Sequence, residues 1–170
     1  MRRLILIAFL VTACASSGSP AGTVRPEPTE RPTPSPTPTP WPAGFAEPFC
    51  LAIGEFPSIV QGIQDMQASA EELDLDGVSL HAYSTGATAL TIQVALEQTT
   101  FWKPASAVLY RWKQTNDALI DALDDIDKGA ADGNSKLIDR GTRKIIDASK
   151  LMTKLTAAIN AFSADTDFQC

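Results

Sequence analysis

Apolar residues recur along most of this chain at steps of three and four, the spacing of a helix that buries one face. Phe49, Ile53, Phe56, Val60 and Ile63, continuing to Ala70 and Leu73, form a first row, and Leu80, Tyr83, Ala87, Leu90, Val94 and Phe101 form a second. Val108, Trp112, Thr115, Leu119, Ala122 and Ile126 form a third. The fourth is the longest: Ile138, Gly141, Ile145, Ala148, Met152, Leu155, Ile159 and Phe162. No segment alternates apolar and polar residues for long, so no strand is expected. The pattern predicts an all-α fold, an up-down four-helix bundle over residues 49–170.

Turn residues fall between the rows. Asp74-Leu75-Asp76-Gly77 separates the first two helices, and Lys103-Pro104 opens the third with proline at an early position. Gly133 suits a helix terminator and Asn134 the next N-cap. Pro57 breaks into the first row, so the helix either kinks there or restarts. Charge agrees with an antiparallel third and fourth helix. Asp117, Asp121, Asp124, Asp125 and Asp127 crowd one, while Lys136, Arg140, Arg143, Lys144, Lys150 and Lys154 crowd the other.

The N-terminus has a different pattern. Arg2 and Arg3 precede an unbroken apolar run from Leu4 to Val11, far shorter than the ~20 residues of a membrane-spanning helix. A basic start, a short apolar middle and small residues before a cut make a secretory signal. Val11-Thr12-Ala13-Cys14 resembles the lipobox of bacterial lipoproteins, with Val11 at the branched position and Ala13 before the cleavage point. The resemblance implies that residues 1–13 are removed and that Cys14 carries a thioether-linked diacylglyceryl group. Two acyl chains, at about 0.8 kcal/mol per buried CH₂, anchor durably where one would not. Losing Arg2 and Arg3 takes the formal charge from −6 to −8, which disfavours anionic headgroups and nucleic acid as partners.

Residues 14–48 then read as a lipidated N-terminus and linker. Ten of the twelve prolines lie between Ala15 and Pro48, and residues 33–40 alternate Thr or Ser with Pro. Such a stretch cannot nucleate helix or sheet, and a disordered, semi-rigid stalk of polyproline-II character is expected. Lipidation of Cys14 leaves Cys50 and Cys170, one at each end of the bundle. An even number of antiparallel helices brings those ends together, so an internal Cys50–Cys170 bridge is expected over a free thiol or an intermolecular one.

Candidate chemistry is sparse. Glu72 to Tyr83 imitates the opening of a calcium loop, but Tyr83 stands where a bidentate Glu is required. His81 is the sole histidine and cannot build a zinc site alone. Neither a metal nor any other cofactor is expected, and no catalytic constellation is evident. Trp102 and Phe101, at the start of the third helix, are the candidate partner contacts, since tryptophan dominates binding hot spots. The expectation is therefore a lipid-anchored extracytoplasmic module with a binding or structural role at the cell envelope, facing an envelope protein. A carrier of a small apolar ligand in the bundle core is the alternative, and an enzyme without a recognisable motif the second.

Overall fold

The computed structural model describes residues 41–170; the leader, Cys14 and the Pro/Thr-rich segment as far as Pro40 lie outside them. Four helices account for most of the described chain: α1 (Ala46–Glu71), α2 (Leu75–Gln98), α3 (Ser106–Ala131) and α4 (Ser135–Thr166), with a 3-10 turn at Lys103–Ala105 ahead of α3. No strand occurs among the described residues. The all-α four-helix bundle read from the spacing is the fold observed.

The caps explain the boundaries. Asp74 accepts a hydrogen bond from the Gly77 N–H through its side chain, 3.0 Å away, so Asp76 and Gly77 belong to the first turn of α2 and not to the connection. Asn134 caps α4 by accepting from the N–H groups of Lys136 and Leu137. α1 runs unbroken through Pro57, whose ring lies on the exposed side, where water can replace the missing donor.

α1 packs on α2, α2 on α3 and α3 on α4. At the α3–α4 seam the backbones approach closely. A Cβ on Gly141 would lie 2.8 Å from the Ala122 carbonyl oxygen, so a side chain there would force the helices apart. Across this seam Asp125, buried, pairs with Arg140 and with Lys144 at 2.6 Å, and Lys144 also reaches Asp121 at 2.6 Å. The opposed acidic and basic helices thus meet as their composition suggests. Hydrogen bonds from Arg140 and Lys144 hold the Asp125 carboxyl well below the usual carboxylate range, outweighing the upward push of burial.

The Cα atoms of α1 and α4 nowhere come within 8 Å of one another, and large side chains fill the seam. At one end of the bundle these side chains are aromatic. Phe45 and Phe49 stack at 5.0 Å, and Phe162 of α4 and Phe168 of the tail meet Phe49 at 5.6 and 5.5 Å. Phe45 is fully buried, so core packing begins upstream of residue 49.

Burial follows the predicted rows unequally. Every residue of the α3 row is buried, and the α4 row is buried or half-buried throughout. On α1 the fully buried line is Phe49, Ala52, Ile59 and Met66, rotated about one position from the expected row. Ile53, Phe56 and Ile63 flank it, and Ala70 and Leu73 face solvent. On α2 the expectation fails altogether. The row Leu80, Tyr83, Ala87, Leu90, Val94 is exposed, and the helix buries Val78, Ala82, Thr85, Ala89, Ile92 and Ala95 instead.

Candidate functional site

The cause of that reversal lies in volume. α2 sits between α1 and α3 and must let both approach. A Cβ on Gly62 of α1 would stand 2.0 Å from the Thr85 hydroxyl, and Asn116 of α3 donates its side-chain amide to the Ala89 carbonyl at 2.8 Å. Backbones that close leave room for Ala and Thr, not for Leu and Tyr. Ala82, Thr85 and Ala89 therefore go inside at these approaches, with Val78 and Ile92 beside them, and Leu80, Tyr83, Leu90 and Val94 stay outside. Leu80, Tyr83, Leu90 and Val94 are 63, 69, 52 and 52 % exposed, an uninterrupted apolar strip along the outer face of α2. Contiguous apolar surface of this kind marks interaction sites in soluble domains.

Two depressions border the same helix. Between α2 and α3 runs a groove of about 300 Å³ floored by Leu96, Leu109 and the buried Asn116, with Tyr110 and Lys113 on its rim. It lies at the surface and not among the inward rows. Between α1 and α2 a polar cleft of about 260 Å³ gathers Ser58, Gln61, Asp65, His81, Ser84 and Thr88. Its hydrogen bonds run within each helix and not across the cleft. Gln61 donates to Asp65 at 2.7 Å, and the Ser84 hydroxyl donates to the His81 carbonyl at 3.2 Å. No carboxylate among the described residues comes within 4.0 Å of a His81 ring nitrogen, so the cleft assembles no nucleophile–base–acid relay.

Of the residues singled out from sequence, Trp102 and Phe101 part company. Trp102 is extended in backbone, with φ −136° and ψ 116°, so the side chains of adjacent residues point to opposite sides. Phe101 is 73 % exposed, whereas Trp102 is buried against Phe45 at 5.0 Å and Phe162 at 5.5 Å. Trp102 is thus a core residue, and its indole N–H has no acceptor among the described residues. Cys50 and Cys170 form the expected disulfide, with Cα atoms 5.3 Å apart. α4 itself does not supply Cys170. Asp167 turns the chain in the left-handed region, Phe168 drops into the aromatic cluster, and the cysteine then meets α1. Cys14 lies outside the described residues. No group of three or more His, Cys, Asp or Glu side chains suited to a metal occurs among those described.

The α2 strip was missed because an apolar row of large side chains is read as the buried one. Its signal was nevertheless present in the sequence. The opposite face carries Val78, Ala82, Ala89 and Ile92, so the helix is apolar on both sides. No protein-family model matches the chain, and neither the curated proteins nor the solved structures yield a match.

Proposed function

We propose that this chain is a lipid-anchored extracytoplasmic module that binds a macromolecular partner at the cell envelope through the outer face of α2. The observation that carries the binding role is that α2 is apolar on both sides, which leaves Leu80, Tyr83, Leu90 and Val94 facing outward. Exposing such a strip in a charged, acidic domain gains nothing for folding, and covering it removes apolar surface from water.

Anchoring rests on Arg2, Arg3, the apolar run and Cys14, in the arrangement that resembles a lipobox. The Cys50–Cys170 bridge supports export, because such bridges persist in oxidising compartments. No helix among the described residues is long and apolar enough to cross a membrane. Lipid at Cys14 would supply attachment without one. Thr33, Ser35, Thr37 and Thr39 lie in the segment that would hold the bundle away from the bilayer.

Two measurements test the two halves of this reading. Cys14→Ser should move the protein from the membrane to the soluble fraction and abolish uptake of labelled fatty acid; unchanged partitioning would overturn the anchor. A photoreactive phenylalanine analogue in place of Tyr83 should give cross-linked adducts in the native host. The same analogue in place of Lys154, on the exposed charged side of α4, should not. No adduct from position 83 would overturn the binding face.

A further inference from the structure

We propose that the partner of this face is a second copy of the same chain, joined through α2 to α2 in an antiparallel, two-fold pair. The inference rests on the reading of α2 as the binding surface and names its occupant.

Spacing points to a helix as the partner. Leu80, Tyr83, Ala87, Leu90 and Val94 follow one another at steps of three, four, three and four. That is the seven-residue repeat of a coiled-coil seam, narrower than the stripe with which a helix faces a globular core. The positions flanking the seam are Ser79, Ser84, Gly86, Thr91, Gln93 and Gln98, all uncharged. α3 and α4 carry closely spaced charges of one predominant sign, so a copy of this acidic protein can approach another along α2 without bringing carboxylates together.

The same repeat decides the direction. Continued by one step at each end, it reaches Asp76 and Glu97, both exposed. A parallel pair would set Asp76 against Asp76 and Glu97 against Glu97 in the seam itself, and Ala87 against Ala87 would leave a gap. An antiparallel pair with its axis between Tyr83 and Ala87 separates the acids from one another, each Asp76 facing Val94 of the second copy at the end of the seam. It seats Leu80 on Leu90 of the second copy and lays the Tyr83 ring over Ala87 of the second copy, large on small. Complete coverage of the four large residues would remove at most about 500 Å² per protomer, or about 1,000 Å² for the symmetric pair, which reaches the lower bound of specific interfaces. The flanking Ser, Thr and Gln side chains add to this.

The test uses the full-length lipidated protein in a large excess of nonionic detergent micelles, as a mixture of two differently tagged forms, with co-capture and sedimentation as readouts. Wild type should co-capture and sediment as a pair at micromolar concentration. L80E and L90K should each weaken pairing at least tenfold, and both share the wild-type anchor, so shared micelles cannot imitate the result. The double variant L80E/L90K should pair again, because the antiparallel register sets opposite charges face to face and the parallel register sets like charges together. Cooperative melting and unchanged helical content would show that all variants fold. A wild-type protein that stays monomeric at 100-fold higher concentration overturns the proposal, as do single variants that pair like wild type or a double variant that stays apart. A lipid surface as the occupant would show as a full-length Cys14→Ser chain that floats with phosphatidylglycerol vesicles, loses flotation on L80E, and never pairs; that too overturns it. Cross-linking from position 83 to a different protein, with monomeric sedimentation, would preserve the binding face and refute the pairing.

Discussion

α2 and α4 both carry a row of large apolar residues at helical spacing, yet one shows that row to solvent and the other buries it. α4 has one close neighbour, α3, and presents Ile145, Leu155 and Phe162 to the interior from a helix otherwise rich in charge. α2 has two neighbours, α1 and α3, which press on it at Thr85 and Ala89 and leave room there only for small side chains, while Val78 and Ile92 are its larger buried residues. Periodicity reports that a helix has faces. Which face turns inward depends on how much room its neighbours leave, and volume decides that before hydrophobicity does.

Truncating one large residue from each helix gives the widest contrast. Phe162→Ala should lower stability by about 3–5 kcal/mol, the range for deleting a buried aromatic ring, because Phe162 sits among Phe45, Phe49, Trp102 and Phe168. Leu90→Ala, at a matching place in the α2 row, should change the unfolding free energy of the single chain by less than about 0.5 kcal/mol. Chemical denaturation at dilute protein measures both. Similar losses from the two would mean that the α2 row faces the core after all.

Enlarging instead of truncating reverses the ranking. Ala89→Leu adds volume beside the Asn116 amide and should cost about 1–3 kcal/mol from overpacking, while Ala87→Leu, two residues away on the exposed face, should cost almost nothing. Thermal melts compare the two directly. A tolerated leucine at position 89 would contradict the close approach of α2 and α3.

Much of this architecture was legible before any coordinates. The α3 and α4 rows, Gly133 and Asn134 at their turn, and the opposed charges on the two helices identify an antiparallel pair. Cys50 and Cys170, once Cys14 is set aside, identify the end at which the bundle closes. What stayed hidden depends on contacts distant in sequence. That Gly62 presses on Thr85, so that α2 turns its small side inward, is written in no local pattern. Nor is the burial of Trp102, which follows from an extended residue placing it opposite Phe101. The binding strip was visible as residues and misassigned as a face.

Electrostatics separates the helices too, since basic side chains of α4 reach a buried acid and the outer row of α2 carries no charge. Asp125→Ala removes charge-assisted hydrogen bonds to Arg140 and Lys144 and should cost about 1–3 kcal/mol at neutral pH. Its folded-state pKa lies below the unfolded value of about 3.9. The contribution is therefore complete above the unfolded value and is lost as the pH falls toward the folded one. Wild type should lose more stability than the variant between about pH 5 and pH 2, and their stability curves should converge at the acid end. Parallel curves would show that Asp125 titrates normally.

The smallest effect belongs to the two turns that bound these helices, which share one geometry and place different residues, Leu73 and Gly133, at the left-handed position. After α1, the Asp74 N–H bonds the Ser69 carbonyl at 2.9 Å and the Leu73 N–H bonds that of Ala70 at 3.2 Å; after α3, Asn134 and Gly133 make the same pair of bonds to Gly129 and Ala130. Both are Schellman closures, which place the residue after the cap in the left-handed region. Gly133 occupies that place at φ 61° without a steric cost, but Leu73 occupies the other at φ 61° with a Cβ crowding the following carbonyl. Leu73 is largely exposed, so its side chain returns little by burial. Leu73→Gly should relieve about 1–2 kcal/mol of left-handed strain and lose part of it to the greater freedom of glycine in the unfolded chain. A net gain of roughly 0.5–1 kcal/mol, seen as a melting temperature higher by a few degrees, is expected. Gly133→Leu should lower it by at least as much. A fall on Leu73→Gly would show that the leucine is held by a contact worth more than the strain, and the exposed surface of the α1–α2 corner would then join the outer face of α2 as ground for a partner.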